Sequence, residues 1–230
     1  MENIKIFYRN FIEYGGYKDY FKGLTNTAII ALFGLLIGFL LACIIAFVKL
    51  LPSQNPFIKI TKKICNVYIA IFRGTPIVVQ LLLLHFAVFP IIGLNITTVA
   101  EAIIIFGLNS AAYMAEMLRS GINAVDMGQM EAGRSLGLSY GATMIFIILP
   151  QAIKNILPTL GNEFIALIKE TSVVNFIAVM DVTKALTGIA ESTYEYFVPY
   201  IVLAVTYLII VLFITWLIKI METRLQKNER

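Results

Sequence analysis

Gly23 to Val48 and Tyr196 to Ile218 each run without a single charged side chain. No other feature constrains the chain as strongly. A helix needs roughly 20 successive apolar residues to cross the hydrocarbon core of a bilayer, so a charge-free stretch of that length reads as a span. Composition agrees. Of 230 residues, 59% are hydrophobic and 14% charged, with mean hydropathy +0.85, whereas soluble domains carry about 25% charged residues. The net charge of +4 does not point to nucleic acid. The basic residues cluster beside apolar segments, which is the pattern that orients membrane spans.

The remaining apolar segments complete a set of five, at about 23–48, 64–88, 97–118, 157–180 and 196–218. The sequence therefore predicts an all-α membrane protein, a single domain over residues 1–230. Residues 142–149 are apolar but too short to cross alone, and Pro150 and Pro158 bracket a bend. Residues 181–195 read as a polar loop. Residues 3–22, rich in Phe and Tyr, read as a helix on the outer surface, and no small-residue cleavage site marks them as a removable signal peptide. Tyr196, Phe197 and Tyr200 read as interfacial anchors. The sequence shows no internal repeat.

Lysine and arginine set the orientation. Lys49, Lys59, Lys62 and Lys63 follow the first span in a loop marked by Pro52 and Pro56. Arg119, Arg134 and Lys154 follow the third, and Lys219, Arg224, Lys227 and Arg230 close the chain. Residues 90–96 hold no basic residue, and in 181–195 Lys184 stands against Asp181, Glu191 and Glu195. The positive-inside rule then places loops 49–63 and 119–154 and the C-terminus in the cytoplasm, with the N-terminus outside.

Between the third and fourth spans lies EAGRSLGLSYGATMIFIILP, residues 131–150. Asp126 is placed to N-cap a short helix ending near Leu136, and Gly137 suits the left-handed residue that closes it. Ser139 caps the next helix. Two helices meeting at a glycine hinge result, the first carrying Met127, Met130 and Leu136 as apolar contacts. Such a helix suits docking into a groove on a soluble partner, and equally a solvated interfacial helix. The stretch resembles the cytoplasmic coupling loop of ATP-binding-cassette (ABC) importer permeases, whose pattern is Glu-Ala-Ala, a later Gly and Ile-x-Leu-Pro. Glu131, Ala132, Gly137, Ile147, Leu149 and Pro150 match, and Gly133 replaces the usual Ala.

Further polar residues interrupt the spans, where a charge is costly and usually functional. Arg73 stands in Arg73-Gly74-Thr75-Pro76, where Pro76 removes a backbone donor and Gly74 loosens the helix. Asn109, Tyr113, Glu116 and Ser120 share one helical face. Glu116 and Arg119 are spaced for a salt bridge, so a structural pair and a substrate contact both fit. Glu163 and Glu170 share a face, Lys169 points elsewhere, and Thr171-Ser172 follow; these charges line a path or lock helices together. The Arg-Gly-Thr-Pro, Leu108-to-Glu116 and Lys169-Glu-Thr-Ser172 strings are similar to the polar-amino-acid branch of the same permeases.

The resemblance implies a type I importer permease with a substrate path at Arg73, Gly74, Thr75, Asn109, Tyr113, Glu116, Glu163, Lys169, Thr171 and Ser172. It implies contact with a cytoplasmic ATP-binding subunit at Glu131, Ala132, Gly133, Leu136 and Gly137. It further implies a second permease copy, as homodimer or heterodimer, and an extracellular or periplasmic amino-acid-binding protein, in a bacterial cytoplasmic membrane. ATP and Mg would be held by the ATP-binding subunit, since this sequence has no phosphate loop; the chain itself is not an enzyme. Glu116, Glu163 and Glu170 suggest attraction for a basic amino-acid side chain, and Arg73 for a carboxylate. The competing class is an ion-gradient-driven secondary transporter or channel-like subunit, against which the missing repeat argues. An intramembrane enzyme finds no support. His85 is the single histidine, Cys43 and Cys65 read as small hydrophobic packers, and no Cys/His spacing suits a metal.

Overall fold

The computed structural model describes residues 2–51 and 55–227, the side chains through Arg224. Pro52 and Arg230, invoked above for the first loop and the tail, lie outside the described residues. Every described element is helical. α1 (Glu2–Tyr8) runs into a π turn, Arg9–Glu13, and stops at Gly15, whose φ of +80° breaks the helix. α2 (Gly16–Leu50) and α3 (Pro56–Gly74) follow. Asn55 caps α3, its side chain accepting from the Phe57 N–H at 2.9 Å. α4 (Ile77–Ile91), α5 (Thr98–Asn123), the short α6 (Met127–Ser135), α7 (Tyr140–Ile177), α8 (Val182–Thr193) and α9 (Phe197–Lys227) complete the chain.

Among the described residues α2, α5, α7 and α9 are each long and apolar enough to cross a bilayer, and α3 with α4 makes a fifth, bent by 108°. Four spans therefore stand, and a fifth where the bent pair counts as one span, but three of the sequence expectations change. The second span is not one rod, because its two halves part at Gly74-Thr75-Pro76. The fourth does not begin near residue 157. It starts at Tyr140, takes in 142–149, and continues through Pro150 and Pro158. The stretch at 181–195 is not a loop but α8, capped by Asp181, whose carboxylate accepts from the Thr183 and Lys184 amides.

The prolines explain the longer helix. A proline gives no N–H to the carbonyl four residues back, and its ring crowds that carbonyl. For Pro150 this is Phe146, and for Pro90 it is Phe86. Each lies within a π turn, Met144–Ile148 and Leu84–Val88, where the ladder is already wider. The helix absorbs the proline instead of ending.

The core is a seam of small residues between α2 and α5. A Cβ added at Gly38 would meet the Ser110 Cβ at 2.9 Å, and one at Gly107 would meet the Ile37 side chain at 2.7 Å. Helices approach closely in a membrane where such residues face each other. Ile30, Ala31, Ile105, Phe106 and Leu167 fill the surrounding core. The N-terminal segment is docked on the bundle. Phe7 and Phe11 pack with Tyr20 on Val182, Leu186 and Ile189 of α8. α9 is the least covered span, with Phe197, Leu208, Leu212, Phe213 and Trp216 all exposed.

Candidate functional site

Two places gather the polar residues that composition alone does not explain. The first is the break between α3 and α4. In an unbroken helix the Phe72 carbonyl would accept from residue 76, but Pro76 has no N–H to give. The Gln80 side chain replaces it. Gln80 Nε2 lies 2.8 Å from the Phe72 carbonyl, 3.0 Å from the Thr75 carbonyl and 2.8 Å from Thr75 Oγ1. Asn109 of α5 donates to Gln80 Oε1 at 2.9 Å and lies 3.4 Å from the Phe72 carbonyl. Buried backbone carbonyls need such partners, so Gln80 and Asn109 hold the bend open. Thr75 belongs to this scaffold too, its hydroxyl donating to the Ile71 carbonyl at 2.8 Å.

The bend presents Arg73 to a cavity of about 310 Å³ lined by Arg73, Tyr113, Glu116, Ser120, Asn155 and Thr159, among others. The Arg73 guanidinium lies over the Tyr113 ring, 5.4 Å from its centre, a cation–π arrangement. Glu116 is held by Arg119, whose Nε donates to Glu116 Oε1 at 2.8 Å, and by Lys49 of α2, whose Nζ lies 3.7 Å from Oε2. Tyr113, Glu116 and Ser120 thus share the cavity, as their spacing on one helical face predicts. Gly74 is open, with nothing near a Cβ placed there.

The other sequence candidates go elsewhere. Asn109 is buried one turn before Tyr113, bonded to Gln80, and does not line the cavity. Glu163 is buried and accepts from Ser110 Oγ at 2.8 Å, so it ties α7 to α5 rather than lining the cavity. Thr171 is buried and donates to the Ile168 carbonyl at 2.6 Å, while Lys169 and Glu170 are exposed at the start of a 3₁₀ turn and Ser172 is half-buried. Gln80, Lys49, Asn155 and Thr159 were not among the sequence candidates. Gln80 is a lone amide in an apolar run, and Lys49 counts only toward orientation until α5 is brought beside it.

The second place is α6, at the same end of the bundle as Lys49 and Arg119. Asp126 caps it, Oδ1 accepting from the Gly128 N–H at 2.6 Å. At its other end Leu138 N–H donates to the Gly133 carbonyl at 3.2 Å and Gly137 N–H to the Arg134 carbonyl at 3.1 Å, with Gly137 at φ +85°. That is the Schellman closure, which needs a left-handed residue where glycine stands. Ser139 then caps α7, accepting from Ala142 at 3.2 Å. Both helix caps and the glycine hinge follow the sequence pattern. Met127 and Leu136 are exposed at 76% and 82%, with Glu131 and Ala132 also outward. Gly133 departs from the expected contact set because it is turned inward and buried. A Cβ there would lie 2.5 Å from Thr143 Cγ2, so α6 uses Gly133 to pack on α7.

At the opposite end a wider concavity of about 570 Å³ is lined by Asn10, Asp19, Asn175, Lys184, Glu191 and Ser192, among others.

Comparison with known proteins supplies the remaining evidence of kinship. The model of one family, described as binding-protein-dependent transport system inner membrane component, matches residues 34–227. An arginine transport system permease protein of Bacillus subtilis is 38% identical over 90% of this chain and 93% of its own length. A Rickettsia bellii permease protein assigned to glutamine transport is 41% identical over 88% of each chain. The crystal structure of an amino acid ABC transporter with histidines superposes at a TM-score of 0.84 with 39% identity, covering 94% of this chain and 98% of that one.

Proposed function

Because this chain belongs to the family of binding-protein-dependent transport system inner membrane components, we propose a division of labour among its surfaces. The chain is a multi-pass membrane permease component of an amino-acid ABC transport system. The cavity at the helix break is its substrate path. The exposed face of α6 receives the ATP-binding subunit. The end carrying α1 and α8 faces outward, toward an amino-acid-binding protein. The thinly covered face of α9 meets lipid and a second permease copy. ATP and Mg are bound by the ATP-binding subunit, and the membrane is the bacterial cytoplasmic one, with the C-terminus inside.

The observation that carries this reading is the placement of α6. It stands between α5 and α7, the two spans that wall the cavity through Tyr113 and Glu116 on one side and Asn155 and Thr159 on the other. It joins each through a fixed turn, Asp126 on one side and Gly137 on the other. A push on α6 therefore reaches both walls. The α2–α5 seam is close-packed, so α2 and α5 move together, against α7 and the α3–α4 bend. Arg73, with no carboxylate paired to it among the described residues, suits the α-carboxylate of an amino acid, and Ser120, Asn155 and Thr159 supply uncharged donors and acceptors. A path of this kind binds weakly and releases when its walls part.

The test is reconstitution with the ATP-binding subunit. Uptake that requires ATP, together with loss of uptake in Arg73→Ala while the subunits still co-purify, supports the assignment. Uptake driven by an ion gradient without the ATP-binding subunit would overturn it in favour of a secondary carrier.

A further inference from the structure

We infer that Lys49 is a specificity-determining residue, and that through it the cavity selects an α-amino acid with an uncharged polar side chain over one with a cationic side chain. The inference rests on the proposed substrate path and deepens it.

Sequence reasoning counted Glu116, Glu163 and Glu170 as three carboxylates that attract a basic side chain. The structure removes two. Glu163 is turned away and bonded to Ser110, and Glu170 is not among the residues lining the cavity. Glu116 is left, and each of its oxygens already faces a cation of this chain. Arg119 occupies Oε1 and Lys49 approaches Oε2 at 3.7 Å. With Arg73 over Tyr113 and lining the same cavity, three cations stand near one carboxylate. A substrate guanidinium or ammonium group would enter a field of its own sign, which partial burial screens less than open water does. A cationic side chain adds a second positive group to that field, whereas a zwitterion with a neutral side chain brings no net charge into it. Its carboxylate is drawn to Arg73, and Ser120, Asn155 and Thr159 are available to its polar groups.

The two cations on Glu116 differ in origin. Arg119 sits three residues from Glu116 on the same helix and moves with it. Lys49 comes from the end of α2 and is, among the described residues, the ion-pair partner that another span brings to Glu116. Lys49 does not itself line the cavity; it acts through Glu116, which does, and removing it frees one Glu116 oxygen without touching α5.

The experiment uses the permease bound to its ATP-binding subunit in lipid nanodiscs, without the binding protein, so that selectivity is read from this chain. Calorimetric titration with glutamine and with arginine gives the affinity ratio. The wild-type complex is expected to favour glutamine by about tenfold or more, a modest electrostatic discrimination. Lys49→Met is expected to shift that ratio toward arginine by about tenfold, and Lys49→Arg to preserve it. A Lys49→Met complex that still binds glutamine with an unchanged ratio would overturn the inference, as would a wild type that binds arginine as tightly as glutamine. Thr159→Trp separates the layers of the argument. If filling the cavity leaves both ligands bound as before, the substrate path itself is misplaced. If it abolishes binding while Lys49→Met leaves the ratio fixed, only the role of Lys49 falls.

Discussion

Gln80→Leu tests the α3–α4 bend most directly, because it keeps side-chain volume and removes only the polar bonds. The amide nitrogen has two hydrogens, shared among the Phe72 carbonyl and the two Thr75 oxygens, and the amide oxygen accepts from Asn109. Three full bonds are therefore lost. Interhelical bonds in a bilayer contribute about 0.6 kcal/mol each on average, which sets a floor near 2 kcal/mol. The Thr75 carbonyl and the Asn109 amide are also left short of partners in a dry interior, at ~1 kcal/mol or more each, so the expected loss is about 4 kcal/mol. Pulse proteolysis of the detergent-solubilised protein across an SDS titration reads it as a fall in the unfolding midpoint. Asn109→Leu alone should cost about 1 kcal/mol, the scale of one bond. The double variant should then fall short of additivity by a similar amount, because both side chains act on one bond and one carbonyl. A Gln80→Leu protein within about 0.5 kcal/mol of wild type, or a strictly additive double variant, would refute the claim that these side chains replace the N–H that Pro76 lacks.

Three further substitutions probe the segments around the site. Gly137→Val should abolish stimulation of the ATP-binding subunit while the protein still inserts; nothing lies within 4 Å of that position, so the damage is backbone strain of about 1–3 kcal/mol, and Gly137→Asn should retain most of the activity. Normal coupling in the Val variant would count against the hinge. Gly133→Ala should lower thermal stability by about 1–3 kcal/mol through crowding of Thr143, and Thr143→Ser, which deletes the crowded methyl, should restore it; an unchanged midpoint in the single variant would show that α6 is not pressed on α7. Asp181→Ala should cost about 0.5–2 kcal/mol by uncapping α8, read in the same titration, and a neutral result would mean that the cap bonds contribute nothing to the docked helix.

How much of this was legible in the sequence depends on whether the signal was local. The charge-free runs at 23–48 and 196–218 locate two spans because hydropathy needs no partner. The Asp126 cap, the Gly137 closure and the Ser139 cap were likewise readable, since each is a bond between residues two to five apart. The bend was half legible. Gly74 and Pro76 announced a weak point, but the size of the break depends on Gln80 meeting Asn109 across 29 residues, and no local pattern specifies that meeting. The same holds for Lys49, whose role follows from α2 ending beside α5. Pro150 misled for a related reason. Its local meaning is a helix stop, and the π turn that absorbs it is a tertiary accommodation. The stretch at 181–195 is different, because there the signal was present and outweighed. Val182, Leu186 and Ile189 recur at helical spacing and bury one face, while Asp181, Lys184, Glu191 and Glu195 give the same stretch the composition of a loop. A polar segment whose apolar residues keep a helical period is a docked helix, and its acidic first residue is then a cap before it is a charge.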